Sequence, residues 1–377
     1  MLDIDLIKKL SEKYEIPMED SVFIALNTTG VDYDCGYDRM RGQLHVTNTN
    51  LFPLTVNENE SYFYFALPVH KNSPFKLNNN KLLLNNTELG LMEGTTEDIC
   101  NSHYWRRERT SLNINPNQRT SCRGCNFCYA IYQIPHDNKK LLTKEDFKNF
   151  FVKFLDKYDM KDLGDLIELS VVTGCYTDSN QVIETLKNIK HVADNEFNFK
   201  GRLLYLGSQI STEEDLQQLV GCQPMRICFS IETFENRNKL RESKSKLSIE
   251  YIKSLMLKAR KMEFEVTYSY VLGLEPLNTV EKYFNEFREV CNVFPIVNLL
   301  QIHNKQSATI KTPEANNIEY FFKARKIIEK AFKSTALEPE VWNNYRSPWT
   351  MRFANKRLSG KRIPHPIEIF NKGKCRD

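Results

Sequence analysis

Ser121-Cys122-Arg123-Gly124-Cys125-Asn126-Phe127-Cys128-Tyr129 places three of the chain's ten cysteines within seven residues. No other two cysteines lie that close, Cys222 and Cys228 coming next. Three thiolates on so short a loop make a metal or cluster site. A structural zinc ion takes four ligands, usually as two spaced pairs, so a fourth would have to come from His103, His136 or a distant cysteine. A ferredoxin run needs a further cysteine three residues on, followed by proline, whereas Cys128 is followed by Tyr129-Ala130-Ile131-Tyr132. Three thiolates on a four-iron cluster leave one iron open to a substrate or cofactor, by the logic of an open catalytic zinc.

Outward from this loop the pattern is regular. A short strand over 111–114 precedes it, and a helix over 143–158 follows. That helix starts on a capping box, Thr143 with Asp146, and carries Phe147, Phe150, Phe151, Phe154 and Leu155 on one face. Further strands are expected at 167–172, 202–206, 226–231, 264–272 and 297–302. Helices are expected between them at 181–192, 212–220, 248–262 and 280–291, and a last one at 316–332. Short buried runs of this kind suit parallel strands, and each strand–helix–strand unit winds right-handed. Six strands are too few to close an eight-stranded barrel. The fold class expected is α/β, a partial (β/α)6 TIM-like barrel over residues 111–310. Such sheets carry their sites at the C-terminal strand ends, and the cysteine loop follows the first strand.

Residues 1–110 read as a strand-rich accessory domain, with a helix over 3–14 and strands over 22–26, 43–46, 61–67 and 81–84. Residues 311–377 read as a helix and a basic extension. From residue 344 on, nine Lys and Arg oppose two acids, a local charge of +7 within a chain of +4. Such a tail suits nucleic acid, an acidic peptide or an acidic electron donor, or it is a solvated terminus. The first nine residues carry acids and lack a long apolar core, so no signal peptide is expected. No apolar run is long enough to span a bilayer. A cytoplasmic protein with reduced or metal-bound cysteines follows.

The cysteine loop and the strand pattern resemble the radical S-adenosylmethionine (radical SAM) superfamily. Its members carry Cys-x3-Cys-x2-Cys after the first strand of a partial (β/α)6 barrel, with an aromatic before the last cysteine. Cys125-Asn126-Phe127-Cys128 matches the second half, Phe127 standing in the aromatic place. Cys122 and Cys125 are two residues apart rather than three, giving Cys-x2-Cys-x2-Cys. The resemblance implies Cys122, Cys125 and Cys128 on a four-iron, four-sulfur (4Fe-4S) cluster, with S-adenosyl-L-methionine on the open iron. It implies Thr173 and Gly174 at the methionine amine, where the family's acid is missing. Ser230 and Glu232 are implied at the ribose. Arg241, with Arg237 second, is implied at the methionine carboxylate. Gly273 (in Leu272-Gly273-Leu274-Glu275) and Gln301 are implied at the adenine. A flavodoxin- or ferredoxin-like electron donor and a small-molecule or peptide substrate complete the expectation.

Plainer readings stand beside these. Cys175 is a candidate hydrogen donor, covalent anchor or auxiliary ligand with Cys222 or Cys228, and otherwise a small buried thiol. His303 is a candidate acid or base. Tyr268 and Tyr270 line a substrate cavity or pack on helices, and Trp105-Arg106-Arg107 reaches the active site from the accessory domain or, the plainer reading, is a surface turn. An RNA-modifying radical enzyme and a metal-stabilised nucleic-acid-binding protein are the alternatives. Little aromatic interleaving among the basic residues speaks against nucleic acid.

Overall fold

The structure, a computed structural model, describes residues 2–36, 38–55, 61–98, 104–106, 110–116, 125–129, 141–172, 176, 178–303, 305–341 and 344–358. Two helices open the chain, α1 (Ile4–Tyr14) and α2 (Met18–Thr29). Five strands follow: β1 (Arg39–Val46), β2 (Tyr62–Pro68), β3 (Phe75–Asn78), β4 (Lys81–Leu84) and β5 (Thr87–Glu97). They form one antiparallel sheet in the order β2-β1-β5-β4-β3.

α2 overturns the strand expected over 22–26. A five-residue apolar run suits either element, and nine residues of this helix are buried, from Glu19 to Asn27. A helix buried nearly all round shows no amphipathic period. Its Val22, Phe23, Ala25 and Leu26 pack with Met40, Leu44, Phe63 and Phe65 on one face of the sheet. Along β1 the alternate residues Arg39, Arg41 and Gln43 face the other way, yet each is only 5% exposed. Something must cover that polar face.

The cover is the second sheet. Its strands are β6 (Tyr104–Arg106), β7 (Ser111–Ile114), β8 (Glu168–Val172), β9 (Arg202–Gly207), β10 (Met225–Glu232), β11 (Glu265–Leu272) and β12 (Ile296–Leu299). β7 to β12 lie side by side in chain order, all parallel, and curl into a half-barrel. β6 adds an antiparallel edge. Its Trp105 is 3% exposed and packs on Phe154 and Tyr158, so the expected surface turn is an edge strand.

Helices α3 (Lys144–Tyr158), α4 (Ser179–Glu196), α5 (Glu213–Leu219), α6 (Glu242–Ser245), α7 (Ile249–Lys261) and α8 (Leu277–Phe287) connect the strands. α3 begins on the expected Thr143–Asp146 capping box and α5 on a second one, Thr212 with Asp215. The helix-facing residues Leu112, Ile114, Leu169, Val171, Leu203, Ile227, Phe229 and Val266 join one apolar core with these helices. Tyr268 and Tyr270 belong to it too, packed on Phe234, Phe284 and Phe287. They are helix-packing residues and do not line a cavity, because β11 turns this face outward.

α9 (Lys305–Thr309) and α10 (Glu319–Phe332) come next, and the chain then returns across the molecule to a small hairpin, β13 (Arg352–Phe353) with β14 (Lys356–Arg357). Trp349, Met351, Phe353 and Leu358 are buried. Over 344–358 the expected solvated tail is therefore a packed strap; residues 359–377 lie outside the described residues. Asp20 of α2 grips the strap. Its carboxylate accepts the N–H groups of Thr350 and Met351 at 2.8 Å each, and Arg325 of α10 at 2.8 Å. Among the described residues no helix is long and apolar enough to cross a membrane.

Candidate active site

The face of the half-barrel turned away from the helices is polar. Ser111, Asn113, Glu168, Ser170, Arg226, Cys228, Ser230, Thr267 and Ser269 alternate with the apolar set and are all buried. At the N-terminal strand ends, charges close the floor. Glu168 accepts Ser170 Oγ at 2.7 Å and Arg202 Nε at 2.9 Å. Arg226 donates to Glu265 at 2.6 Å and to both oxygens of Glu340, ahead of the strap, at 2.8 and 3.1 Å. Above the floor, neither amide atom of Asn113 has a hydrogen-bond partner among the described residues, nor do the hydroxyls of Ser111 and Ser269. Buried polar atoms left so are the mark of an interior that holds water or a ligand.

The cysteine turn sits at the opposite end, past β7. The Cys128 N–H closes it on the Cys125 carbonyl at 2.9 Å, and the Asn126 N–H donates to the Lys239 carbonyl at 3.2 Å. Cys125 is 4% exposed, and its sulfur accepts the Arg241 N–H at 3.4 Å. Phe127 packs with Val271, Leu274, Leu300 and Ile310. An apolar anchor thus pins the turn against the ends of β11 and β12. Two thiols on one tight turn, one of them met by a backbone N–H, are a donor set that fits an iron–sulfur cluster, whose sulfurs are tuned by such contacts. The third expected ligand, Cys122, lies outside the described residues, and no group of three His, Cys, Asp or Glu gathers as a metal site among those described. The six described cysteines are free of disulfides.

β10 brings Ser230 and Glu232 to the same rim, with a bulge between them. Glu232 has φ +64°, a left-handed conformation that costs a side-chain-bearing residue on the order of 1–3 kcal/mol. Its carboxylate accepts Lys244 Nζ at 3.0 Å. The loop after β10 is held by Glu275, fully buried, which accepts Thr233 Oγ1 at 2.7 Å, the Phe234 N–H at 2.9 Å and Tyr270 OH at 2.9 Å. That carboxylate is a structural clamp and is not open to an adenine. Gly273, with φ +121°, needs its missing side chain: a Cβ would stand 2.9 Å from that of Leu300. Arg237 is spent on carbonyls, donating to Ile231 at 2.7 Å and Thr233 at 3.1 Å. Arg241, the other arginine considered for a carboxylate, stands at the start of α6 with its N–H on the Cys125 sulfur.

The N-terminal sheet covers this mouth. Arg39 and Arg41 both bond Asp98, which is 3% exposed, and their charges hold its carboxyl well below the usual carboxylate range. Arg39 also bonds the Gln301 oxygen, while Gln301 Nε2 donates to Asn27 at 3.1 Å and to the Ala66 carbonyl at 2.8 Å. Both ends of the Gln301 amide thus tie the sheets together, so Gln301 joins two layers where an adenine contact was expected. His303, four residues past β12, has its Nε2 3.4 Å from Arg39 and its ring 5.1 Å from that of Tyr129. Burial, then Arg39 and Arg346, push its pKa down to about 2, so the imidazole is neutral. Arg346 of the strap reaches the same place. Burial and Arg39 lower its pKa to about 10, against Cys128, Asp98 and Glu232.

Thr173, Gly174 and Cys175 lie outside the described residues. Cys222 and Cys291 sit in the helix-side core, where burial pushes their thiols up to about 11 and about 12, so they are protonated packing residues. Arg39, Arg41, Asp98 and Arg346 were not anticipated. The signal for the first two was present: Arg39-Met40-Arg41-Gly42-Gln43-Leu44 alternates polar and apolar. An open pocket lies nearby, between β2 and the strap, lined by Phe63, Tyr64, Phe65, Tyr345 and Trp349 among others.

No protein-family model and no curated protein matches the chain. Among solved structures it is similar to Streptococcus suis SuiB bound to S-adenosylmethionine, at 11% identity over 61% of this chain and 49% of that one, TM-score 0.43. SuiB bound to precursor peptide SuiA gives the same identity and shares, at TM-score 0.41. Catalytic-site mutants of active domain 2 of a Pyrococcus furiosus chitinase, complexed with chito-oligosaccharides, follow at 10% identity over 52% of this chain and 69% of that one, TM-score 0.31. The chain spans about half the length of the SuiB structures it matches. At such identity and overlap the neighbours assign neither chemistry nor substrate to it.

Proposed function

We propose that this chain is a radical S-adenosylmethionine enzyme acting on a small molecule or a peptide. One observation carries the reading: Cys125 and Cys128 share a turn past the first of six in-order parallel strands, and the backbone of Arg241, from beyond the fourth, donates to the Cys125 sulfur. Cys122, Cys125 and Cys128 would hold the cluster. When bound, it supplies the electron that splits S-adenosylmethionine, giving the 5′-deoxyadenosyl radical that takes a hydrogen atom from substrate.

The chain's own residues bind, orient and enclose. Arg241 would receive the methionine carboxylate, since its fork suits a planar anion and its N–H already fixes it beside Cys125. Thr173 and Gly174 would meet the methionine amine through their backbone. Ser230 and Glu232 end β10 on the rim and would hold the ribose hydroxyls, Glu232 as acceptor. The neutral His303 has no imidazolium to donate, and its lowered pKa makes it a poor proton acceptor as well, so it would act there as a neutral hydrogen-bonding group. The Arg39–Asp98–Arg41 layer closes over the mouth and limits water there. A flavodoxin- or ferredoxin-like protein would supply the electron.

Anaerobic cluster assembly tests this. Iron and sulfide should reach about four each per chain, and reduction should release 5′-deoxyadenosine from S-adenosylmethionine. Replacing Cys122, Cys125 and Cys128 by alanine should abolish both. Stoichiometric zinc without iron would overturn the reading.

A further inference from the structure

One cation at the mouth meets no carboxylate among the described residues. Arg39 and Arg41 share one carboxylate, Asp98. Lys244 takes the other nearby one, Glu232, at 3.0 Å. Arg346 is left over. Its backbone is fixed at both ends: its N–H donates to Asn344 Oδ1 at 2.8 Å, and its carbonyl accepts the N–H of Leu299, the last residue of β12, at 2.8 Å. Its guanidinium has no hydrogen-bond or ion-pair partner among the described residues, although it is half-buried and charge-coupled to Cys128, Asp98, Glu232 and Arg39. Among the described residues Arg346 is thus a cation beside Arg39, Asp98, Cys128 and Glu232 whose own guanidinium meets no carboxylate. A guanidinium withdrawn from water without an anion is costly. Here it is anchored on a strand end instead of being turned out to solvent.

We propose that the substrate of this chain carries an anionic group, a carboxylate or phosphate, and that Arg346 receives it, backed by the Arg39–Asp98–Arg41 layer. This rests on the proposed function only in placing the reaction at this mouth. Five N–H donors in a planar fork match either anion by paired hydrogen bonds. Arg39 is already committed to Asp98 and Gln301 and serves as a positioning residue: its charge opposes any rearrangement of Arg346 toward the N-terminal sheet. The anion could also be the carboxylate of S-adenosylmethionine itself, and the test separates the two.

Binding of inorganic phosphate and of glutarate to the full-length chain is measured by calorimetry at constant ionic strength. It is measured on protein as purified and after cluster assembly, with S-adenosylmethionine as a third ligand. Wild type should bind phosphate and glutarate. Arg346→Gln should weaken both about tenfold or more, Arg346→Lys should weaken glutarate more than phosphate, and Arg352→Gln, an exposed position on the same strap, should change neither. S-adenosylmethionine affinity should be the same in wild type and in Arg346→Gln. No anion binding by wild type, or equal binding by Arg346→Gln, overturns the proposal. So does a loss confined to S-adenosylmethionine, which would give Arg346 to the cofactor. If Arg346→Gln does not fold, the Arg346→Lys comparison decides by the same criterion. Anion binding is read without iron, so a zinc-loaded chain that still binds anions through Arg346 would sink the cluster reading alone.

Discussion

The two faces of the half-barrel sheet are both buried and are built to opposite rules. Toward the helices, Leu112, Leu169, Ile227 and Val266 sit in one apolar core. Toward the concave side, Asn113, Ser170, Arg226 and Ser269 occupy the intervening positions on the same strands. The first face holds the fold together, since each fully buried aliphatic side chain contributes about 1.5–3 kcal/mol. The second leaves polar atoms unpaired, which adds nothing to stability by itself. A sheet that keeps its stability on one side has the other free for binding.

Neighbouring residues can break or sharpen this contrast. The largest effect belongs to the apolar face: Leu169→Ala should cost about 2–5 kcal/mol in urea unfolding, as for other buried leucines. Cutting the clamp, by Glu275→Ala, should cost about 3 kcal/mol, because Thr233, Tyr270 and the loop N–H groups lose a buried acceptor. It should also loosen the Arg241 loop, read as faster amide exchange over 233–241.

A pH effect should come from His303. Its folded pKa lies far below the ordinary value near 6.5. The neutral form is the folded one, so its contribution is complete above pH 6.5 and is lost as pH falls toward 2. Unfolding free energy should drop by about 1.4 kcal/mol per pH unit below 6 on this account, and His303→Gln should flatten that slope; an unchanged slope would reject the assignment. On the concave face, Asn113→Ala should change stability by less than about 1 kcal/mol, since its amide atoms have no partners to lose. A loss as large as that of Leu169→Ala would erase the distinction between the faces. The smallest effect is at the surface, where breaking the exposed Lys258–Glu213 pair should leave the melting temperature unchanged.

The helix-facing side was legible because its apolar runs alternate with amphipathic helices, and all six parallel strands stand where the pattern put them within a few residues. The turn carrying Cys125 and Cys128 was legible because its residues are close in the chain. The cover of the site was not. Arg39, Asp98, Gln301 and Arg346 meet across separations of up to about three hundred residues, and no local period encodes such a meeting. α2 was misread for a related reason: Pro17 before Met18 was a usable start signal, but a helix enclosed on all sides hides its own periodicity.

Asp20 of α2 holds the N–H groups of Thr350, Met351 and Arg352, residues made some 330 positions after it. Until they emerge, Asp20 is a carboxylate waiting for its donors, and Arg325 lacks its partners at Pro348 and Arg352. The barrel strands can pair as they are made, since their contacts are with the next strand in the chain. This closure joins segments some 330 residues apart, so it cannot form before the strands between them have been made. Until Glu340 has been made, Arg226 lacks that partner and the floor of the half-barrel is short of one carboxylate.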